Sequence, residues 1–311
     1  MNKMMQQTIS KKTTVRGIGL HSGVQITMNL IPAPVNHGIS YVRTDIKNGD
    51  NVIPATWDKV VDTQLCTVIG NANGATVGTI EHLMSALRGL GIDNLLIEID
   101  GKEVPAMDGS AMPFVVAIEE VGITEQPAPK RMVKVLKEVS VTDQGGKRVT
   151  LTPDDACVFA GEIAFDHQDI GHQRFETQLV NGNFKHDIAE ARTFGFFKEA
   201  EWLRSQGLGL GGSLDNAIIL NDEGVMNPTG LRFENEFIRH KLLDAIGDLY
   251  LAGAPILGLY DGVKAGHAIN NAILHELFSS DENWCYVDMP VATKKSVSSS
   301  EAAHSNELAY A

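Results

Sequence analysis

Residues 234–251 read ENEFIRHKLLDAIGDLYL, and this stretch decides the fold prediction because it places two different stripes on one helix. The apolar stripe falls at i, i+4, i+7, i+8 and i+11, on Ile238, Leu242, Ala245, Ile246 and Leu249. At about 100° per residue, His240, Asp244 and Asp248 form a second stripe on the opposite side. The spacing therefore predicts an amphipathic helix whose polar side needs its own explanation.

His240 and Asp244 are four residues apart, so both side chains can reach one metal ion from the same helix face. The alternative is a solvated polar face, which is the more frequent meaning of an isolated HxxxD spacing. An exposed face on a helix of this length more usually carries Lys and Glu. Both interpretations stay open at this point.

A segment in the first half of the chain resembles part of this helix in sequence. Leu83–Leu90 (LMSALRGL) aligns with Leu242–Leu249 (LLDAIGDL), as expected if the chain has two related halves. The first half alternates apolar and polar residues over 24–30, then predicts helices over 79–90, with Thr79 as N-cap, and over 113–121. The second half predicts strands near 132–141, 148–152 and 158–165, then helices over 197–205, 234–251 and 267–278. Strands before helices in each half predict the α+β class, and an alternating βαβ sheet is not indicated.

The length of 311 residues suggests about two domains. Residues 125–130 (EQPAPK) contain two prolines, which block helix continuation and strand pairing, so we interpret them as a linker. The predicted units are an N-terminal domain over 1–124 and a C-terminal domain over 131–293. Residues 294–311 are rich in Ser and Ala, and we expect a flexible tail there.

The composition excludes several function classes. The chain has 26 Lys and Arg against 39 Asp and Glu, a net charge of −13, which argues against a nucleic-acid-binding protein. Its three cysteines, Cys66, Cys157 and Cys285, are too far apart for a CxxC metal site or a disulfide framework, which fits a reducing, cytoplasmic compartment. The N-terminus lacks a signal-peptide apolar region, and no apolar run approaches the ~20 residues of a membrane span.

Three further segments hold candidate catalytic residues. Glu81-His82 opens the first predicted helix; Glu81 suits a general base beside a ligand, or simply an acid in a first helical turn. His267 follows a glycine at a helix start and needs a carboxylate to stay charged; Asp248 is the candidate, and a capping histidine is the alternative. Thr193 has a hydroxyl that could donate a hydrogen bond to a developing oxyanion. The alternative is that its loop only leads into a hydrophobic core and has no catalytic role.

Several common catalytic motifs are absent from the sequence. HExxH does not occur, so the usual zinc-protease assignment is excluded. The glycines of Gly17–Gly23 do not form GxGxxG before a helix, and neither a GxxxxGK[ST] loop nor a GxSxG elbow is present.

Taken together, seven ordered motifs are more specific than any one of them. They are GIGLHSG at 17–23, TIEH at 79–82, GIDN at 91–94, MDGSA at 107–111, ARTFGF at 191–196, RHKLLDAIGDL at 239–249 and GHA at 266–268. In these motifs the chain closely resembles the UDP-3-O-acyl-N-acetylglucosamine deacetylases, the zinc amidases of lipid A synthesis. The resemblance covers about Thr8 to Tyr286.

This resemblance implies two domains of similar topology, each a sheet packed against helices, with the helices sandwiched between the sheets. It implies a Zn²⁺ ion held by His82, His240 and Asp244. It also implies roles for four catalytic residues: Glu81 as general base, His267 as the charged acid, Asp248 as its orienting partner and Thr193 at the oxyanion. Ferrous iron also suits a His₂Asp site with one open position.

The implied reaction releases acetate from a UDP-sugar that carries a 3-O-acyl chain. The resemblance assigns the diphosphate to Lys241, Lys264 and Lys147, and an aromatic near the uracil to Phe165. An insert around 194–210 is expected to build the acyl tunnel from Phe196, Phe197, Trp202, Leu203, Leu208 and Leu210, together with Phe194 and Leu20. We expect a monomer without a transmembrane segment, in transient contact with a membrane surface. A chain fused to a dehydratase domain and a non-catalytic lipid-binding module are the competing hypotheses.

Overall fold

A computed structural model describes residues 4–180 and 182–289. Up to residue 129 most elements are strands, with two helices and a single 3₁₀ turn at Trp57–Lys59. In chain order the elements are β1 (Met5–Ile9), β2 (Thr13–Ile18), β3 (Gln25–Pro32), β4 (Ile39–Arg43), β5 (Val52–Pro54), β6 (Val60–Asp62), β7 (Val68–Gly70), β8 (Thr76–Val77), α1 (Glu81–Leu90), β9 (Leu95–Ile99), α2 (Met112–Val121) and β10 (Ile123–Pro129).

After residue 130 the chain again runs mainly through strands before its longest helix. The elements are β11 (Arg131–Val135), β12 (Val139–Thr142), β13 (Arg148–Thr152), β14 (Cys157–Ala164), β15 (His172–Gln178), α3 (Asn183–Asp187), β16 (Phe194–Phe196), α4 (Phe197–Ser205), β17 (Ile218–Asn221), β18 (Gly224–Val225), α5 (Glu236–Tyr250), β19 (Ile256–Val263), α6 (His267–Phe278) and β20 (Trp284–Asp288).

Two larger sheets and three small ones organise these strands. The first larger sheet has the order β2-β3-β9-β4-β5, and only its β4–β9 pair is parallel. The second has the path β12-β13-β19-β11-β20, with β14 and β15 attached through β19. The small sheets are β1-β10, β6-β7-β8 and β16-β17-β18. Mixed sheets with separate helices confirm the predicted α+β class.

Helices pack against both larger sheets and against one another. Helix α2 packs against β2, α5 against β14 and β15, and α6 against β12 and β13, while α1 packs against α5 more extensively than any other two described elements pack together. One hydrophobic cluster runs through both parts of the chain, from Ile9 to Leu277. The division into two domains remains a prediction.

The contact between α1 and α5 depends on one glycine. A Cβ atom added at Gly247 would overlap the backbone carbonyl oxygen of Glu81. Because the glycine has no side chain, α5 lies directly on the first turn of α1. The C-terminus of α1 is likewise set by a glycine, since Gly91 adopts φ 72°, a left-handed conformation that ends helices well.

The first correction concerns the expectation that the two prolines of residues 125–130 prevent strand pairing. Residues 123–129 form strand β10, which pairs with β1 in an antiparallel ladder whose register shifts between Met5 and Gln7. The prolines are tolerated because β10 lies in a two-stranded sheet, where a missing N–H need not break a ladder. The expectation that they prevent pairing is wrong.

Two boundaries also differ from the sequence prediction. Thr79 is not the N-cap of α1: it has φ 54°, its hydroxyl donates to Glu103 Oε1 at 3.1 Å, and Ile80 occupies the cap position. The strand expected over 132–141 is interrupted, because Leu136 leaves β11 and its N–H bonds to Asn283. The predicted tail over 294–311 lies outside the described residues. Within the described ranges no helix is both long and apolar enough to cross a membrane.

The helix contact predicts the effect of Gly247→Ala. In an exposed helix this change would stabilise by about 1 kcal/mol. Here we expect the free energy of unfolding to fall by about 2 kcal/mol, because the new methyl group overlaps the Glu81 carbonyl. Urea denaturation measures the difference. The control is Gly195→Ala, whose Cβ would meet no atom within 4 Å; equal stability of the two variants would contradict the role assigned to Gly247.

Candidate active site

Three buried side chains converge where α1 meets α5. His82 lies in the first turn of α1, while His240 and Asp244 lie one turn apart on α5. Their candidate ligand atoms all lie within 4.8 Å of one another. His82 Nε2 is 3.5 Å and His240 Nε2 is 3.4 Å from the same oxygen, Asp244 Oδ1.

The geometry of this cluster fits a metal ion. Donors about 2.0–2.1 Å from a tetrahedral zinc ion lie roughly 3.3 Å apart, close to the two separations from Asp244 Oδ1. That oxygen is buried and has no hydrogen-bond partner among the described residues. His240 Nδ1 lies 3.1 Å from the Ala191 carbonyl, so Nδ1 donates there and Nε2 keeps a free lone pair. The solvated-face interpretation of this stripe is therefore wrong.

The protonation states also suit metal binding. Burial lowers the pKa of His240 to about 3, so the imidazole is neutral at physiological pH. Burial opposes ionisation of Asp244, but the charges around it, including the Lys241 ammonium, outweigh that effect and hold the pKa of the carboxyl well below its usual range. A neutral imidazole and an ionised carboxylate are the forms that ligate a divalent ion.

Glu81 and His267 form a second pair beside the cluster. Glu81 begins α1, and its Oε2 accepts the backbone N–H of Thr67 at 3.2 Å. Its Oε1 lies 3.7 Å from His267 Nε2 at the start of α6. Burial raises the pKa of Glu81. Burial lowers the pKa of His267, yet the carboxylates of Asp248 and Glu81 outweigh that effect and raise it to about 10.

The expected partner of His267 is confirmed as a contact. Asp248, one turn beyond Asp244 on α5, places Oδ2 at 2.9 Å from His267 Nδ1. An ionised carboxylate only accepts hydrogen bonds, so Nδ1 donates and Nε2 points toward Glu81. The pair is thus a carboxylate that faces a protonated imidazole, with Glu81 held by Thr67 and His267 held by Asp248.

The loop that bears Thr193 is fixed by a buried ion pair. Arg192 Nε donates to Glu236 Oε1 at 2.8 Å, and Glu236 is fully buried at the start of α5. This pair holds the segment in which Ala191 contacts His240, and Thr193 Oγ1 belongs to the same short loop. Neither Arg192 nor Glu236 is predicted from the sequence to belong to the site.

The three lysines predicted to bind diphosphate are not equivalent. Lys241 Nζ pairs with Asp244 Oδ2 at 3.0 Å and lies over the Phe194 ring, 5.7 Å from its centroid. Lys264 and Lys147 are exposed, and the antiparallel register Arg148↔Val263 places them side by side at one end of the β13–β19 ladder. Lys241 therefore belongs to the cluster of His82, His240 and Asp244, and the other two lysines form a separate surface.

An apolar cavity of about 450 Å³ opens between the 194–226 segment and the loop after β2. Of the predicted tunnel residues, its lining includes Leu20, Phe194, Phe196, Phe197 and Leu203, and Thr193 also lines it. Additional lining residues that the prediction missed are Leu214, Ala217, Ile219 and Met226.

Four predicted substrate residues lie elsewhere. Trp202 is 60% exposed and Leu210 is 52% exposed, and neither lines this cavity, because both point to solvent. Leu208 lines a neighbouring pocket with His21. Phe165 packs edge-on against Phe194, with ring centroids 5.8 Å apart, so it forms part of the wall behind the cavity.

Three polar residues near the site escaped the sequence analysis. Thr67, Asn270 and Tyr260 form hydrogen bonds that lead to Asp248. Only Asn270 left a usable signal, since it lies three residues after His267 and thus on the same face of a predicted helix. Thr67 and Tyr260 come from a loop and a strand, for which the sequence gives no common periodicity.

Comparison with known proteins agrees with this geometry. The family model described as UDP-3-O-acyl N-acetylglycosamine deacetylase matches residues 6–279. A protein named UDP-3-O-acyl-N-acetylglucosamine deacetylase from Phenylobacterium zucineum (strain HLK1) is 46% identical over 281 residues, covering 90% of this chain and 96% of the relative.

Two further relatives bear the same name. The protein from Myxococcus xanthus (strain DK1622) is 46% identical over 290 residues, 93% of this chain and 91% of the relative. The protein from a Nitratiruptor species is 47% identical over 292 residues, 94% of this chain and 96% of the relative. On both the family match and these relatives, the chain belongs to the UDP-3-O-acyl N-acetylglycosamine deacetylase family.

Proposed function

We propose that this chain is a metal-dependent amidase that hydrolyses the 2-acetamido group of UDP-3-O-acyl-N-acetylglucosamine, an early committed step of lipid A synthesis. The products are acetate and UDP-3-O-acyl-glucosamine. One observation carries the proposal: Asp244 Oδ1 is buried, has no hydrogen-bond donor within residues 4–180 and 182–289, and faces two imidazole nitrogens next to the Glu81–His267 pair. The names of the relatives supply the substrate.

His82, His240 and Asp244 are proposed to hold Zn²⁺, and ferrous iron is the alternative that suits the same ligands. A bound ion would supply Lewis-acid chemistry, polarising the amide carbonyl and lowering the pKa of water. The observation that supports a metal is the donor set itself, since a buried carboxylate oxygen without a partner is otherwise costly.

Glu81 is proposed as the general base, which takes the proton from the attacking water. His267, charged and held by Asp248, then donates a proton from Nε2 to the leaving amine. Thr193 is proposed to donate its hydroxyl to the oxyanion. The two roles agree with the raised pKa of His267, which keeps its proton while the neighbouring Glu81 is ionised.

The apolar cavity is proposed to bind the 3-O-acyl chain. It opens beside Thr193 and Phe194, so a chain lying there would leave the acetamido group close to the metal-ligand cluster. Lys264 and Lys147 are proposed to bind the diphosphate, with Lys241 nearer the sugar because of its pairing with Asp244. Phe165 is proposed to contact the uracil.

The surface and the cysteines of the chain bear on where the enzyme works in the cell. Exposed apolar side chains, including Trp202 and Leu210, support transient contact with a membrane surface. All three cysteines are free, which supports the cytoplasm as the compartment. We propose that the chain acts as a monomer.

Metal content and activity should separate the ligands from the base. We expect His82→Ala and Asp244→Ala to lose both metal and acetate release, because each removes a ligand. Glu81→Gln should keep the metal but lower kcat by about 10²- to 10⁴-fold. Metal analysis after anaerobic purification, combined with an acetate-release assay, measures both. His37→Ala is the control, and retention of metal in Asp244→Ala would contradict the ligand assignment.

The pH profile of kcat/KM should be bell-shaped. Glu81 must be ionised, so the rate rises with pH through a pKa above the usual value of about 4.3. His267 must be protonated, so the rate falls as pH passes through its raised pKa. Rates measured from roughly pH 5 to pH 11 test this. His267→Gln should abolish the alkaline fall; an unchanged fall in that variant would show that another group causes it.

Filling the cavity should discriminate between acyl lengths. Ala200 lines the cavity from α4, so Ala200→Phe reduces the space for the chain. We expect kcat/KM for a long-chain substrate to fall about 10-fold or more, and that for a short-chain analogue to change little. The matched control is Glu201→Phe, which adds the same ring on the exposed side of α4. Equal losses for both chain lengths would exclude this cavity as the acyl site.

A further inference from the structure

The carboxylate of Asp248 accepts hydrogen bonds from three side chains, which come from two parts of the chain. Thr67 Oγ1 donates to Oδ1 at 2.6 Å. His267 Nδ1 and Asn270 Nδ2 both lie 2.9 Å from Oδ2. Thr67 comes from the loop before β7, and the other two donors come from α6. With both oxygens engaged, the carboxylate has a single well-defined orientation.

The amide of Asn270 is itself oriented by a buried tyrosine. Tyr260, on β19, donates its hydroxyl proton to Asn270 Oδ1 at 2.8 Å. Its ring packs against Phe159, with centroids 5.5 Å apart, and the side chain is 2% exposed. If the amide turned over, Oδ1 would face the Asp248 carboxylate and two acceptors would repel. The tyrosine and the carboxylate therefore favour the same orientation.

We propose that Tyr260 is a positioning residue for the amidase reaction, which acts through Asn270 on the Asp248 carboxylate and so aligns His267. The proposal rests on the roles proposed above for His267 and Asp248. Tyr260 does not touch the reacting atoms; it belongs to a chain of hydrogen bonds that runs from β19 through α6 to α5.

Removing the Tyr260 hydroxyl leaves Asn270 Oδ1 buried without a donor. A buried polar atom in that state favours any rearrangement that regains a partner. The amide can then rotate away from Asp248, and Oδ2 retains only the His267 contact. Thr67 still holds Oδ1. The Asp248 carboxylate therefore keeps its charge and its position, but its orientation toward His267 is no longer fixed. We therefore expect a moderate loss of kcat.

Two buried tyrosines make a matched pair for the test. Tyr260→Phe removes the hydroxyl that orients Asn270, and Tyr250→Phe removes one that belongs to the last residue of α5 and donates to the Ile92 carbonyl at 2.7 Å. We expect Tyr260→Phe to lower kcat about 10-fold with KM and metal content nearly unchanged. Tyr250→Phe should lower the thermal midpoint without changing kcat. Equal kcat values for the two variants would overturn the proposal.

A double-mutant cycle tests whether Tyr260 acts through His267. In the His267→Gln background, Tyr260→Phe should cause less than about a twofold further loss of rate, because the group being aligned is already absent. A full additional 10-fold loss would show that the tyrosine affects the rate by another route, and the proposal would be wrong.

Proton NMR provides a readout that does not depend on activity. The Nδ1 proton of His267, identified by its disappearance in His267→Gln, should shift in Tyr260→Phe and in Asn270→Leu but not in Tyr250→Phe. An unshifted resonance in Tyr260→Phe would overturn the proposal even if the rate fell. If the wild-type chain releases no acetate from the UDP-sugar, the proposed function fails, and the resonance alone then decides whether Tyr260 positions His267.

Discussion

The close contact between α1 and α5 at Gly247 is the constraint on which the rest of the site depends. Helix α5 rests on the backbone carbonyl of Glu81, so the side chains on either side of that carbonyl have fixed positions. Glu81 faces His267, and the next residue, His82, faces Asp244. A larger residue at 247 would move Glu81 away from His267 and, in the same step, His82 away from His240 and Asp244.

Burying so many ionisable groups is costly unless each has a partner. The site meets this requirement by distributing partners over several elements. Asp248 has three donors, Glu81 accepts from Thr67, and His240 donates to Ala191. Asp244 Oδ1 is the exception among the acids of the site, since it is buried with no donor in the described part of the chain. The unsatisfied atom is thus located where a cation would compensate it.

The sequence predicted the helices more accurately than their surroundings. The bounds of α4 and α6 were correct, because apolar residues recur there at helical spacing and Gly266 precedes His267. The site residues on α1 and α5 were found through the same periodicity. Strand β10 was missed because its pairing partner, β1, lies more than a hundred residues earlier in the chain. Nothing near the prolines in the sequence shows that this partner exists. Thr67 and Tyr260 were missed for a similar reason, since nothing local links a loop and a strand to Asp248.

The two helices that meet at Gly247 are far apart in the sequence, so the ribosome makes α1 well before α5. His82 and Asp244 are about 160 residues apart. At roughly 5–20 residues per second, the ribosome needs on the order of ten to thirty seconds after making α1 to add His240 and Asp244. During that interval Glu81 and His82 have no α5 to cover them. The cluster of His82, His240 and Asp244 is therefore assembled late in translation, and the nascent first half must stay soluble with α1 uncovered.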